Sequence, residues 1–223
     1  FTWDMARAQL DGLPGGGLNI AHEAVFRHLA GPHADQVAIR FLAQGQLDVE
    51  RTYRELALDA RRFASVLGRL GIARGERVAS LLGRIPALYC TVLGSLAAGV
   101  VFCPLFSAFG PEPVRTRLAL GSIRVLVTTD LLYRRKVAPI RGDLPGLQHV
   151  LVVRTRGAGD LPERTLDLDS LMSEADAAFE TVRTDAEDAA LLHFTSGTTG
   201  QPKGVLHVHA AVTAHVTTAR WVL

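Results

Sequence analysis

The sequence predicts an α/β fold: a mostly parallel sheet with helices on both faces. Three observations carry this. Short runs, apolar but for Ser80, recur at residues 78–82, 101–102, 125–127 and 150–153, as strands buried on both faces read. Stretches of helical length and period separate them, which parallel crossovers require. No internal repeat or low-complexity tract competes with this alternation.

The elements follow in chain order. Residues 10–17 are a loop by their Gly and Pro content. Residues 20–29 form a short amphipathic helix, and residues 37–41 alternate like a strand, with Gln44-Gly45-Gln46 as its turn. Thr52 opens the clearest helix, because Glu55 stands where a capping box needs it. Leu56, Phe63, Val66, Leu67 and Leu70 continue it at helical spacing, and Gly71 ends it. Then come the strand at 78–82, a helix from about Ala87, a strand at 101–102, a helix at 114–120, and strands at 125–127 and 150–153. Residues 85–111 carry no charge, but Pro86, Gly94, Gly99, Pro104 and Gly110 divide them into a buried helix and a strand and exclude a membrane span. The chain starts at Phe1 and stops at Leu223 within a helix without a stop signal, so a piece of a longer protein is expected.

Composition narrows the function. The 24 Lys and Arg residues against 22 Asp and Glu give a net charge of +2, which argues against a dedicated nucleic-acid binder. Cys90 and Cys103 sit among apolar residues and read as buried thiols in a reducing compartment. No secretion signal is visible, so a cytoplasmic location is expected. Residues 111–141 hold seven basic residues against Glu112 and Asp130, a block suited to an anion. Residues 159–190 hold ten acidic residues against Arg164 and Arg183, a pattern usual for a solvated connection.

The chemistry concentrates in residues 191–209. Two apolar, strand-like runs flank Thr195-Ser196-Gly197-Thr198-Thr199-Gly200-Gln201-Pro202-Lys203-Gly204. Glycines let a backbone close on a ligand and turn its N–H groups inward, four hydroxyls add short donors, and Lys203 adds a compact cation. A polyphosphate needs this combination. Lys203 is also one of only two lysines in the chain. The loop is not a Walker A sequence, whose Gly-Lys-Ser/Thr opens a helix. His207 and His209 are two apart on the second strand and share a face, without the further ligands that a metal site needs. His193 reads as a satisfied core histidine, and Trp221 as packed on a helix face.

This ten-residue loop resembles the phosphate-loop motif of the adenylate-forming superfamily of acyl-CoA synthetases, luciferases and peptide-synthetase adenylation domains. The flanks, Gly204-Val205-Leu206-His207-Val208-His209, Pro104-Leu105-Phe106-Ser107-Ala108-Phe109 and the ending Thr218-Ala219-Arg220-Trp221-Val222-Leu223, resemble bacterial acetyl-CoA synthetases. The resemblance implies a ligase that forms acetyl-AMP from ATP and acetate and then acetyl-CoA. It implies ATP with Mg2+ and CoA as the small-molecule partners, and neither nucleic acid nor membrane. Residues 1–49 would be an N-terminal cap segment. Residues 50–223 would be the first part of the AMP-binding domain, truncated within the large N-terminal domain of that fold, with the mobile C-terminal domain absent.

By the same resemblance, Thr195, Ser196, Gly197, Thr198, Thr199, Gly200 and Lys203 would hold the ATP phosphates. Phe106, Ser107 and Ala108 would lie against the CoA adenine, and Arg134, Arg135 and Lys136 would meet its phosphates. Those three basic residues also fit a solvated helix end answering the helix dipole, and the residues leave both readings open. The family's magnesium ligand, ribose Asp and catalytic Lys fall beyond Leu223, so no catalytic residue is expected here and the rest of the polypeptide is an implied partner. The fragment alone is expected to be inactive. A related short-chain acid such as propionate, or a non-catalytic nucleotide-binding paralogue, are the alternatives.

Overall fold

The computed structural model describes residues 1–42, 48–155, 159–196 and 200–222. The strands are β1 (Val37–Phe41), β2 (Val49–Thr52), β3 (Arg77–Leu82), β4 (Val101–Phe106), β5 (Val125–Thr129), β6 (His149–Val153), β7 (Leu166–Asp167), β8 (Ala189–Thr195) and β9 (Lys203–Val208). The helices are α1 (Trp3–Arg7), α2 (Ile20–Ala24), α3 (Tyr53–Arg69), α4 (Pro86–Ala97), α5 (Pro111–Leu120), α6 (Asp130–Leu132), α7 (Leu168–Ser173) and α8 (Ala211–Val222). β1 and β2 pair as a small antiparallel hairpin. Its expected turn at Gln44-Gly45-Gln46 lies outside the described residues. The other seven strands form one sheet in the order β7-β6-β5-β3-β4-β8-β9, parallel throughout except for β9.

Alternation along these strands builds two cores. Ala79, Leu81, Leu126, Val150 and Val152 point to a face covered by α5 and the turn after β5, with Val114, Leu118, Tyr133 and Val137. Val78, Leu82, Val125, Val127 and Leu151 point to the other face, against Phe63, Val66 and Leu67 of α3 and Leu168 of α7. A sheet buried on both sides explains why its strands read as short, mainly apolar runs without apolar–polar alternation. A third cluster lies among α2, α3 and α4.

α3 forms where its cap predicts. The Thr52 hydroxyl accepts from Glu55 N–H at 3.2 Å, and the Glu55 carboxylate accepts from Thr52 N–H at 2.8 Å. α4 and α5 each start at a proline, whose fixed φ and missing N–H suit the first turn. That moves the α5 start from the expected Val114 back to Pro111. β4 runs through Pro104 to Phe106, beyond the expected residues 101–102. Pro is tolerated there because β4 is paired with β8 only at Phe102↔Leu191, so Pro104 lies where that ladder has opened.

Three expectations are corrected. The helix expected over residues 20–29 is two pieces, α2 and a 3-10 turn at Phe26–Ala30, because the backbone resets at Val25 (φ −136°, ψ −55°). The reset buries Val25 and Phe26 together in the third cluster. The acidic stretch is not only a solvated connection: it contains β7 and α7, and its Thr184 is buried, with its hydroxyl donating to Leu18 O at 2.7 Å. Trp221 does not pack on a helix face. It is 76% exposed, and its ring meets Phe1 edge-on at a centroid distance of 6.1 Å. Both cysteines are buried, and burial pushes each thiol up to about 12.

Among the described residues, no helix is long and apolar enough to cross a membrane.

Candidate phosphate and cosubstrate site

Parallel strands end on one edge, so the segments after β4, β5 and β8 all leave the sheet at its carboxyl side. That edge, where strand order reverses between β3 and β5, is where open α/β sheets bind ligands. Topology therefore brings the three sequence-predicted groups to one side of the molecule.

The glycine-rich loop joins β8 to the antiparallel β9, with Thr195 and Lys203 as the register pair at its mouth. Thr195, Ser196, Gly200 and Lys203 are exposed. Gly200 holds φ +81°, in the left-handed region that favours glycine. The Lys203 ammonium has no hydrogen bond or ion pair to another described residue. An exposed, unpartnered cation beside a left-handed glycine suits an anion. Gly197, Thr198 and Thr199 lie outside the described residues.

A cleft of about 410 Å³ adjoins the loop. Ser196, Gly200 and Pro202 line one side, and Phe109, Thr116 and Arg117 line the other. The Arg117 guanidinium lies 4.3 Å from the centroid of the Phe109 ring. Sequence reasoning missed this wall; the signal was Gly110-Pro111, which starts α5 directly after the β4 loop.

Phe106, at the end of β4, is 65% exposed and meets Phe109 edge-on at 5.7 Å. Ser107 is half-buried and Ala108 exposed. Past β5 the chain makes a wide turn, Tyr133–Val137, closed by Ala138 N–H donating to Tyr133 O. Such turns recur at functional sites. Here it buries Tyr133 and Val137 and spreads the three basic side chains apart. Arg134 donates to Asp160 O, the Lys136 ammonium donates to Ser107 O, and Arg135 has no partner among the described residues.

Most of the basic block is thus engaged internally. Arg115 pairs with Glu112, Arg124 pairs with Glu76, and Arg141 donates to Leu144 O and Leu147 O. A second cavity, about 540 Å³, lies beside Arg134, with Arg141 and Arg164 on its rim. Arg164 holds φ +58°, a strained conformation for a side-chain-bearing residue. The acidic context of Arg164 hid it in the sequence.

The histidines separate. His193 is half-buried rather than fully in the core, and its ring meets His207 edge-on at 5.2 Å. Burial, then the neighbouring His207 and His215, lower its proton affinity. His207 and His209 do not share a strand face, because β9 ends at Val208. His209 is 1% exposed, and its Nδ1 accepts from Ile20 N–H at 3.1 Å. Burial pulls its pKa down to about 4. Among the described residues, no group of three His, Cys, Asp or Glu side chains is arranged to hold a metal.

Comparison with known proteins agrees with this architecture. Residues 26–222 match the family model for AMP-binding enzymes. The acetyl-coenzyme A synthetase of Bacillus subtilis (strain 168) is 35% identical over 224 residues, covering 100% of this chain and 38% of that protein. The acetyl-coenzyme A synthetase of Syntrophus aciditrophicus (strain SB) is 37% identical over 205 residues, covering 86% of this chain and 31% of that protein. The crystal structure of the Brucella canis acyl-CoA synthetase superposes with a TM-score of 0.87 at 30% identity, over 99% of this chain and 39% of that one. An anthranilate CoA ligase in complex with anthranoyl-AMP shares the fold at a TM-score of 0.79 and 24% identity, over 93% of this chain and 37% of its own. The chain therefore spans well under half the length of these relatives. With the family match running from Phe26 to the end of α8, the chain belongs to the AMP-binding enzyme family.

Proposed function

We propose that this chain supplies the ATP phosphate loop and part of the CoA site of an acetate–CoA ligase that forms AMP. In this reading, residues 1–49 are a cap segment, residues 50–223 begin the AMP-binding domain, and the catalysis is completed by chain beyond it. The observation that carries the reading is Lys203, without a partner among the described residues and opposite Thr195, at the mouth of a glycine- and hydroxyl-rich loop on the carboxyl edge of the sheet.

The chemistry follows from the residues. Attack of acetate on the α-phosphorus of ATP expels pyrophosphate, and negative charge grows on that leaving group. Lys203, the hydroxyls of Thr195 and Ser196, and the backbone at Gly200 are suited to stabilise the charge as it develops. Mg2+ arrives with the nucleotide and would neutralise part of the same charge. The thiol of CoA then displaces AMP from the acetyl-AMP carbonyl. Phe106 offers an exposed aromatic face to a flat base, and Arg135 offers a guanidinium with no partner among the described residues, a group that grips phosphate oxygens as a fork. The names of the similar proteins support acetate as the acid.

The test is acetate-dependent exchange of labelled pyrophosphate into ATP by the protein expressed in full from its gene, followed by CoA-dependent release of AMP. Exchange with acetate supports the proposal. Exchange with propionate alone reassigns the acid, and no exchange with any short-chain acid overturns the ligase reading.

A further inference from the structure

We propose that Lys136 is a positioning residue: its ammonium pins the loop from Phe106 to Phe109, the wall shared by the ATP and CoA subsites. The inference rests on the CoA reading above and divides the work within the basic trio. Arg135 is the cation left for a ligand, while Lys136 serves the loop.

The wide turn after β5 sets this up. With Tyr133 and Val137 buried in the core, the side chains between them leave in different directions. Arg134 and Arg135 are exposed, whereas Lys136 is half-buried and donates to the Ser107 carbonyl. Ser107 lies one residue past the end of β4, where the chain has left its ladder and the carbonyl needs a donor from elsewhere. A charged donor makes this one of the stronger single hydrogen bonds available to a loop.

What Ser107 carries explains why the bond matters. Phe109 N–H donates to Phe106 O at 3.0 Å, closing a tight turn around Ser107. The two rings of that turn meet edge-on, and Arg117 of α5 lies over the Phe109 ring. Phe109 also faces Ser196 and Gly200 across the cleft. A shift at Ser107 therefore moves the exposed Phe106 ring and the wall beside the glycine-rich loop together.

The test compares Lys136→Met, Lys136→Arg and Arg135→Ala in the full protein. Lys136→Met is expected to raise the KM for CoA about tenfold, the effect of losing one charge-assisted hydrogen bond. The rate of acetate-dependent pyrophosphate exchange should fall as well, by less than the KM for CoA rises, because the same turn carries Phe109 into the cleft beside the glycine-rich loop. Lys136→Arg should recover most of the loss, because a guanidinium can donate to the same carbonyl. The dependence of the CoA KM on salt should be unchanged in Lys136→Met and weaker in Arg135→Ala, since only Arg135 meets ligand charge. An unchanged KM in Lys136→Met, or a salt dependence weakened as in Arg135→Ala, overturns the inference. Amide exchange at Phe109 reads the latch without any activity. It should quicken at least about tenfold in Lys136→Met and not in Lys136→Arg, and equal protection in all forms overturns the latch. A wild-type protein with no exchange activity overturns the ligase reading, and the Phe109 measurement still decides the latch.

Discussion

Lys203 and His209 flank one strand, and their surroundings give them opposite roles. Lys203 is exposed at the mouth of the glycine-rich loop, without a partner among the described residues. His209 is buried just past Val208, where its neutral ring accepts from Ile20 N–H and ties the start of α2 to the turn before α8. Asp188 beside it favours the charged ring and Arg74 opposes it, but burial prevails and holds the pKa near about 4, below the ordinary 6.5. A base with a depressed folded pKa contributes stability that is whole above pH 6.5 and is lost as pH falls toward 4. The loss amounts to about 3 kcal/mol at most. Urea unfolding at pH 7, 5.5 and 4.5 should show it. His209→Asn, which keeps an acceptor but does not titrate, should flatten the slope in that window, and an unchanged slope would refute the assignment.

The sequence made Lys203 legible because its value lies in local company: glycines, hydroxyls and a scarcity of other lysines. It could not separate His209 from His207, because what separates them is where β9 ends. That boundary is set by pairing with β8, whose register runs from Thr195↔Lys203 to Ala189↔Val208.

At the scale of elements, local signals held and contacts across the chain did not show. The capping box of α3 and the proline starts of α4 and α5 are satisfied within a few residues, so sequence reaches them directly. Gly94 is different. By sequence it only interrupts an apolar run, but in α4 it packs directly against α3. A Cβ there would stand 2.5 Å from Ala60 O and 2.8 Å from Phe63 Cβ. Helix propensity alone predicts that Gly94→Ala gains roughly 1 kcal/mol. The contact predicts the reverse, a loss of about 1–3 kcal/mol through overpacking. A lowered urea midpoint would support the contact, and an equal or raised midpoint would contradict it. The basic block shows the same limit. Its surplus charge is visible in sequence, but the partners that absorb it, Glu76 for Arg124 and backbone carbonyls for Arg134, Lys136 and Arg141, come from distant positions or from turn geometry.

For the whole molecule, strand order is what assembles the candidate site. The segments after β4, β5 and β8 are far apart in sequence, and one carboxyl edge collects them. Alternation and spacing gave the fold class. Strand order needed pairing between distant residues, which no local pattern encodes. β9 leaves Val205 and Leu206 partly exposed at the edge of the sheet beside the loop.

The central claim is that the loop between β8 and β9 acts on the phosphates of ATP, with Lys203 as its cation. The direct measurement is pyrophosphate exchange by wild-type and Lys203→Ala protein, expressed in full, across acetate concentrations up to saturation. The account predicts that exchange falls about a hundredfold or more while the acetate concentration giving half-maximal rate stays within about twofold, because the charge lost is one that stabilises the departing pyrophosphate. Exchange at the wild-type rate in Lys203→Ala would contradict it.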